Sequence, residues 1–201
     1  RALIMILSRA RTSDSIKALL TLAGAGHPEA SREASGALVA MSHAMSRPEK
    51  ARLRAMAEKI LKTPPDKAPA GELSAALHLI SAVGQPGDAP RLLKILSPNY
   101  PEMVRSDALL AIAGVLKRGL VPQAVLSGIL PIIMEGPSPA LRSASIEVLG
   151  TLKLPASSLE ALLKLTGHSD PAVRRFAARK LGSGGAGGMK ARKRLVALLT
   201  A

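Results

Sequence analysis

One pattern of apolar and polar positions recurs along the chain. Ser127–Gly150 reads SGILPIIMEGPSPALRSASIEVLG, and Leu159–Gly182 reads LEALLKLTGHSDPAVRRFAARKLG. Each holds an apolar helix, a short polar turn, a Pro, an apolar residue followed by Arg, and a second apolar helix. The pattern returns at Ser97–Leu116 and, more weakly, at His27–Met41. After Pro139, the residues Leu141, Ala144, Val148, Leu149 and Leu152 fall at helical spacing and form one apolar stripe. The recurrent Arg sets the period. Arg32, Arg105, Arg142 and Arg174 are separated by 73, 37 and 32 residues. The longest gap holds one further unit, with Glu72 near the expected Arg place, and Arg1 lies 31 residues before Arg32. A period of about 35 residues is that of a helical-hairpin repeat.

The ends of the helices carry their own signals. Asp170 is placed to cap a helix whose first position is Pro171, where a missing N–H costs little, and Ser138–Pro139 repeats that arrangement. Ser46 and Glu49 form a capping box for a helix running to about Lys62. Gly182 is expected to close the last hairpin in the left-handed conformation. The stretches TPPDKA (63–68) and GSGGAGG (182–188) are breaks, the second read as flexible. The resulting map has a lone helix at 2–9. Hairpins follow at 13–24 with 28–43, 47–62 with 69–83, 88–96 with 101–117, 122–134 with 139–151, and 157–166 with 171–181. A last helix spans 189–200.

Ile129–Leu149 resembles the HEAT motif. Pro131 matches the Pro that bends that family's first helix, and Pro139, Leu141 and Arg142 match its turn and second-helix start. Pro171, Val173 and Arg174 match again. The resemblance implies an all-α fold, a right-handed α-solenoid of antiparallel helix pairs, with about five full units and partial units at both ends. On this reading residues 1–201 form a single repeat domain. An array that opens and closes on half a unit lacks polar caps, so the chain is expected to be a piece of a longer one. The alternative is that the end helices act as the caps.

Composition narrows the chemistry. Apolar residues make up 47% of the chain, with one Tyr, one Phe and no Trp, so the core is aliphatic. The chain has no Cys, which excludes disulfides, thiolate metal sites and a thiol nucleophile. Its apolar runs, such as Ala2–Leu7 and Ile129–Met134, fall far short of the roughly 20 residues that span a bilayer. The net charge of +14 points to an acidic partner or to a merely soluble basic surface. Eight basic residues and no acid lie between Arg174 and Arg194. Within that stretch Arg175, Arg179, Lys190, Arg192, Lys193 and Arg194 are the candidate polyanion contacts, Arg175 and Arg179 sharing a helix face. Arg105, Arg142 and Arg174 recur with the repeat and are assigned to structure, reaching an acceptor such as Asp107 or Asp170 in a neighbouring unit. The mixed-sign stretch Arg47–Lys67 reads as an ordinary exposed helix.

Nothing in the pattern forms a catalytic site. The histidines do not cluster. His27 and His168 recur in equivalent turns, His78 is expected on an exposed face, and His43 ends a helix. The chain lacks the His–Glu dipeptide of HEAT-like di-iron hydroxylases and the aromatic cradle of HEAT-like DNA glycosylases, and GSGGAGG is not a Walker loop. Met5, Met41, Met45, Met56, Met103 and Met134 read as core filling. No metal, cofactor or enzyme activity is expected. The leading expectation is a non-enzymatic protein–protein scaffold. Nucleic-acid or other polyanion binding through the C-terminal basic cluster is the alternative. A helical spacer in a larger multidomain, redox enzyme of bacterial type is a further one. The compartment and the oligomeric state stay open.

Overall fold

The computed structural model describes residues 2–25, 27–117, 119–136, 138–183 and 196, and its regular elements there are all helices. The one extended pairing among the described residues is a parallel bridge between Leu120 and Lys153. There the Val121 N–H donates to the Lys153 carbonyl at 2.9 Å and the Lys153 N–H to the Gly119 carbonyl at 3.0 Å. The chain divides into two compact units, Arg1–Val115 and Leu116–Ala201.

The first unit holds α1 (Ala2–Ala10), α2 (Ser13–Gly24), α3 (Pro28–His43), α4 (Arg47–Leu61), α5 (Ala70–Val83), α6 (Ala89–Leu92) and α7 (Glu102–Leu116). Short turns make α2/α3 and α4/α5 antiparallel pairs, and α5 packs on both α2 and α3. Apolar positions at helical spacing are fully buried: Leu73 and Leu77 with Ile80 on α5, Leu109 and Ile112 on α7. Thr12 caps α2 by accepting from the Ser15 N–H, and the Glu49 carboxylate accepts from the Ser46 N–H at the start of α4. Gly71 is required by close approach, since a Cβ there would lie 2.3 Å from the Ala23 carbonyl oxygen. The first turn of α5 is thus pressed onto the end of α2. Ser31 Oγ donates to that same carbonyl.

The expected helix over 88–96 is broken. A 3₁₀ turn at Pro86–Asp88, the four-residue α6 and a second 3₁₀ turn at Leu93–Leu96 take its place. The space for a helix is confined between Pro86 and Pro98. A residue before Pro is driven out of the helical region, and Ser97 is extended at φ −56° and ψ 144°.

The second unit holds α8 (Gln123–Glu135), α9 (Pro139–Thr151), α10 (Leu159–Leu165) and α11 (Pro171–Gly182). Helix α8 packs on α9, α10 on α11, and α11 on α9. Phe176, the only Phe of the chain, is fully buried with Val173, Ala177 and Leu181 along one stripe of α11. Pro131 lies inside α8 on its exposed side, where its missing N–H leaves the carbonyl four residues back without its helical donor. Gly182 departs from expectation. It is the last helical residue, and Ser183 follows at φ −73° with its N–H on the Arg179 carbonyl. Among the described residues the left-handed non-glycine ones are Arg11 at φ 52°, after α1, and Lys117 at φ 46°, after α7.

Candidate interaction surface

Three of the recurrent arginines, Arg105, Arg142 and Arg174, close their hairpins. Arg142 Nη2 donates to the Gly136 carbonyl at 2.8 Å, Arg105 Nε to Leu96 at 2.9 Å, and Arg174 Nη1 to His168 and Ser169 at 2.9 and 2.7 Å. Each acceptor lies at the end of the first helix or in the turn after it, where carbonyls lack helical partners. Arg142 also reaches the next hairpin, with Nη1 3.2 Å from Asp170 Oδ2. Arg174, expected to bind a neighbouring unit, bonds instead to its own turn. Asp170 caps α11, accepting from the Ala172 N–H at 2.8 Å. That bond, with Arg142 beside it, holds its carboxyl below the ordinary value of 3.8. His168 ties one hairpin turn to another. Its Nδ1 accepts from the Asp170 N–H, and its Nε2 donates to the Met134 carbonyl at 3.1 Å.

These bonds thin out the C-terminal basic cluster. Lys180 Nζ donates to the carbonyls of Gly150 and Leu152, both at 2.8 Å, and so caps α9 from the flank of α11. Burial, then the neighbouring Arg179, pushes its pKa below the ordinary 10.5. Arg174 is exposed as well but engaged by its own turn, which leaves Arg175 and Arg179 as the exposed arginines of α11 without such a bond among the described residues. They flank a shallow trough of about 560 Å³ floored by Ile146, Ala172 and Ala178. Lys190, Arg192, Lys193 and Arg194 lie outside the described residues, as do most of the Gly-rich run and of the last predicted helix.

The first unit carries a larger trough, about 650 Å³, across α3, α5 and α7. Its lining falls on one stripe of each helix: Arg32, Gly36, Ala40 and His43 on α3, Gly71, Ser74 and His78 on α5, Met103 and Asp107 on α7. The floor is made of small side chains. Ser74 is 7% exposed, and its buried Oγ has no hydrogen-bond partner. A Cβ at Gly36 would meet nothing within 4 Å. His78, expected to be exposed, is half-buried, with Nε2 3.2 Å from Asp107 Oδ1. That bond raises its pKa above 6.5 against the opposing effect of burial. Asp107 therefore answers a histidine rather than an arginine. Met103 is 56% exposed, unlike the core methionines Met41 and Met45, and Met5 is exposed as well. Sequence reasoning missed this trough because its signal is the absence of bulk on three separate helices.

Among the described residues no three His, Asp or Glu side chains converge to hold a metal, and no helix is long and apolar enough to cross a membrane. Residues 126–201 match the family model for HEAT repeats. No curated protein matches the chain.

Proposed function

From a chain that carries HEAT repeats over residues 126–201, we propose a non-catalytic scaffold that binds a segment of a partner protein along the second helices of its hairpins. HEAT repeats as a class serve protein–protein interaction. The observation that carries the reading is the trough on α3, α5 and α7. Its small-residue floor admits an incoming backbone or helix closely. The partner-facing residues are Gly36, Ala40, His43, Ser74, His78 and Met103. A photo-crosslinking side chain at Gly36 tests this, because nothing in the fold occupies that space. Protein adducts should form from Gly36 and not from Arg52, an exposed position of α4. Equal adducts from both, or none, would sink the proposal.

A second reading rests on Arg175 and Arg179, which are exposed and unengaged while Arg174 and Lys180 are held by carbonyls. On this reading Lys190, Arg192, Lys193 and Arg194, the other cations of the same sequence cluster, also contact nucleic acid or another polyanion. Replacing the six with Ala should flatten the salt dependence of DNA binding by roughly one unit of slope for each phosphate no longer neutralised. No binding by the parent protein at low salt counts against it.

A further inference from the structure

The broken helix over 86–96 leaves a gap in the first unit. The helix expected there is reduced to α6, four residues long. The gap is a cavity of about 300 Å³, at the lower end of the roughly 300–1,000 Å³ range of small-molecule pockets. Its wall is apolar, from Leu61, Ile80, Leu92, Ile95 and the ring of Tyr100.

The charges around this cavity are unequally used. Glu58 is held between Arg54 and Arg91, at 3.0 Å from each. Asp88, 3% exposed, accepts from Arg54 and from the Gln85 N–H at 2.8 Å. The two carboxylates are therefore already answered by two arginines. Lys62 and Lys94 also line the cavity, both exposed and neither with a carboxylate partner among the described residues. Four cations against two carboxylates leave a local excess of two positive charges over an apolar hollow.

We propose that this cavity binds a small amphipathic anion, a single acidic head on a short apolar tail. The tail replaces water against Leu61, Ile80, Leu92 and Ile95, and the head lies at the mouth between Lys62 and Lys94. Lysine ammoniums act as mobile point charges without the fixed fork of arginine, so the site selects charge and tail rather than the planar shape of the head. The volume sets an upper limit on tail length. The site is separate from the trough on α3, α5 and α7, so either can fail without the other.

Tyr100 makes the test direct, because it is the only Tyr and the chain has no Trp. Intrinsic fluorescence therefore reports on the cavity wall. Titration with octanoate should give a saturable change in Tyr100 emission. Octylamine, with the same tail and the opposite charge, should give none, and octanol a weaker one. Replacing both exposed lysines (Lys62→Gln with Lys94→Gln) leaves the core untouched and should weaken octanoate roughly tenfold. Methyl NMR should place the octanoate-induced shifts on Leu61, Ile80, Leu92 and Ile95. The proposal is overturned by no saturable response at millimolar octanoate, by equal binding of octylamine, by unchanged affinity in the double lysine variant, or by methyl shifts centred on the α3/α5/α7 trough.

Discussion

The two units build their second-helix faces by different means. In the first, glycine draws the helices together: Gly71 sits on the Ala23 carbonyl, and a Cβ at Gly114 would lie 2.8 Å from the Ser81 carbonyl oxygen. The face that results is a trench of small side chains crossed by one His–Asp pair. In the second, bulk and long cations do the work. Phe176 fills the core of α11, while Arg142, Arg174 and Lys180 bind orphan carbonyls. What remains exposed there is a pair of arginines over a shallow floor. The same repeat position thus yields a surface open to close apolar contact in one unit and a cationic one in the other. The difference follows from which side chains the hairpins consume in closing.

The largest break in the comparison should come from Phe176→Ala. It removes the biggest fully buried side chain of the second unit and should cost about 3–5 kcal/mol. Chemical denaturation followed by helical circular dichroism should show a large drop in midpoint. Tyr100 emission, which reports on the first unit, should shift little. Coincident loss of both signals would show that the units unfold as one.

Gly71→Ala is the matching break in the first unit. Its new methyl meets a backbone oxygen, which cannot step aside as a side-chain end does, so the cost should be about 1–3 kcal/mol. Gly36→Ala is the control. That Cβ meets nothing, and a helical Gly replaced by Ala should gain roughly 0.5–1 kcal/mol. Equal effects at the two glycines would remove close approach as the organising feature of the first unit.

Much of this was legible in the sequence, and the divide between legible and hidden is physical. Helices, caps and turns are decided within a few residues. Ser138 accepting from the Leu141 N–H and Asp170 from the Ala172 N–H are local events, and the Pro that follows each marks them. The all-α class and the HEAT resemblance rest on such short-range signals. The contacts that shape the faces are not local. His78 and Asp107 are 29 residues apart, and Lys180 caps carbonyls 28 and 30 residues away. No spacing rule links those positions, so Lys180 read as one more charge and His78 as a solvent-facing residue. Gly182 misled for the opposite reason. A Gly after an apolar stripe is a strong stop signal, yet the helix here ends without a left-handed turn, and Arg11 and Lys117 adopt that conformation instead.

The turn arginines should separate by burial. Arg142 serves the carbonyl of the buried Gly136 and the carboxylate of Asp170, so Arg142→Ala should cost about 1–3 kcal/mol. Arg174 makes solvent-exposed bonds to its own turn, and Arg174→Ala should cost under about 1 kcal/mol. Urea midpoints of the two variants check the order. A reversed order would mean that the link to the next hairpin contributes little beside the bonds to the hairpin's own turn.

The smallest effect expected is the pH dependence of the His78–Asp107 pair, which belongs to the first unit alone. The charged and titratable groups lining the trough around it are Asp107 from α7 and Arg32 and His43 from α3. The Asp107 hydrogen bond raises the His78 pKa above 6.5 in the folded protein, although burial opposes it. Folding therefore favours the protonated ring. The stabilisation is fully present below pH 6.5 and is lost as the pH rises through the raised folded value. Because 39% of the His78 side chain is exposed, solvent screening keeps the effect modest. Tyr100 emission isolates the first unit in the measurement. Its urea midpoint should fall between about pH 5.5 and about pH 8.5 in the parent protein. His78→Gln keeps a donor for Asp107 but does not titrate, so the same scan should be flatter in that variant. An equal fall in both would assign the pH dependence to other groups of the first unit. The pair would then be a polar contact across α5 and α7 that does not titrate in this range.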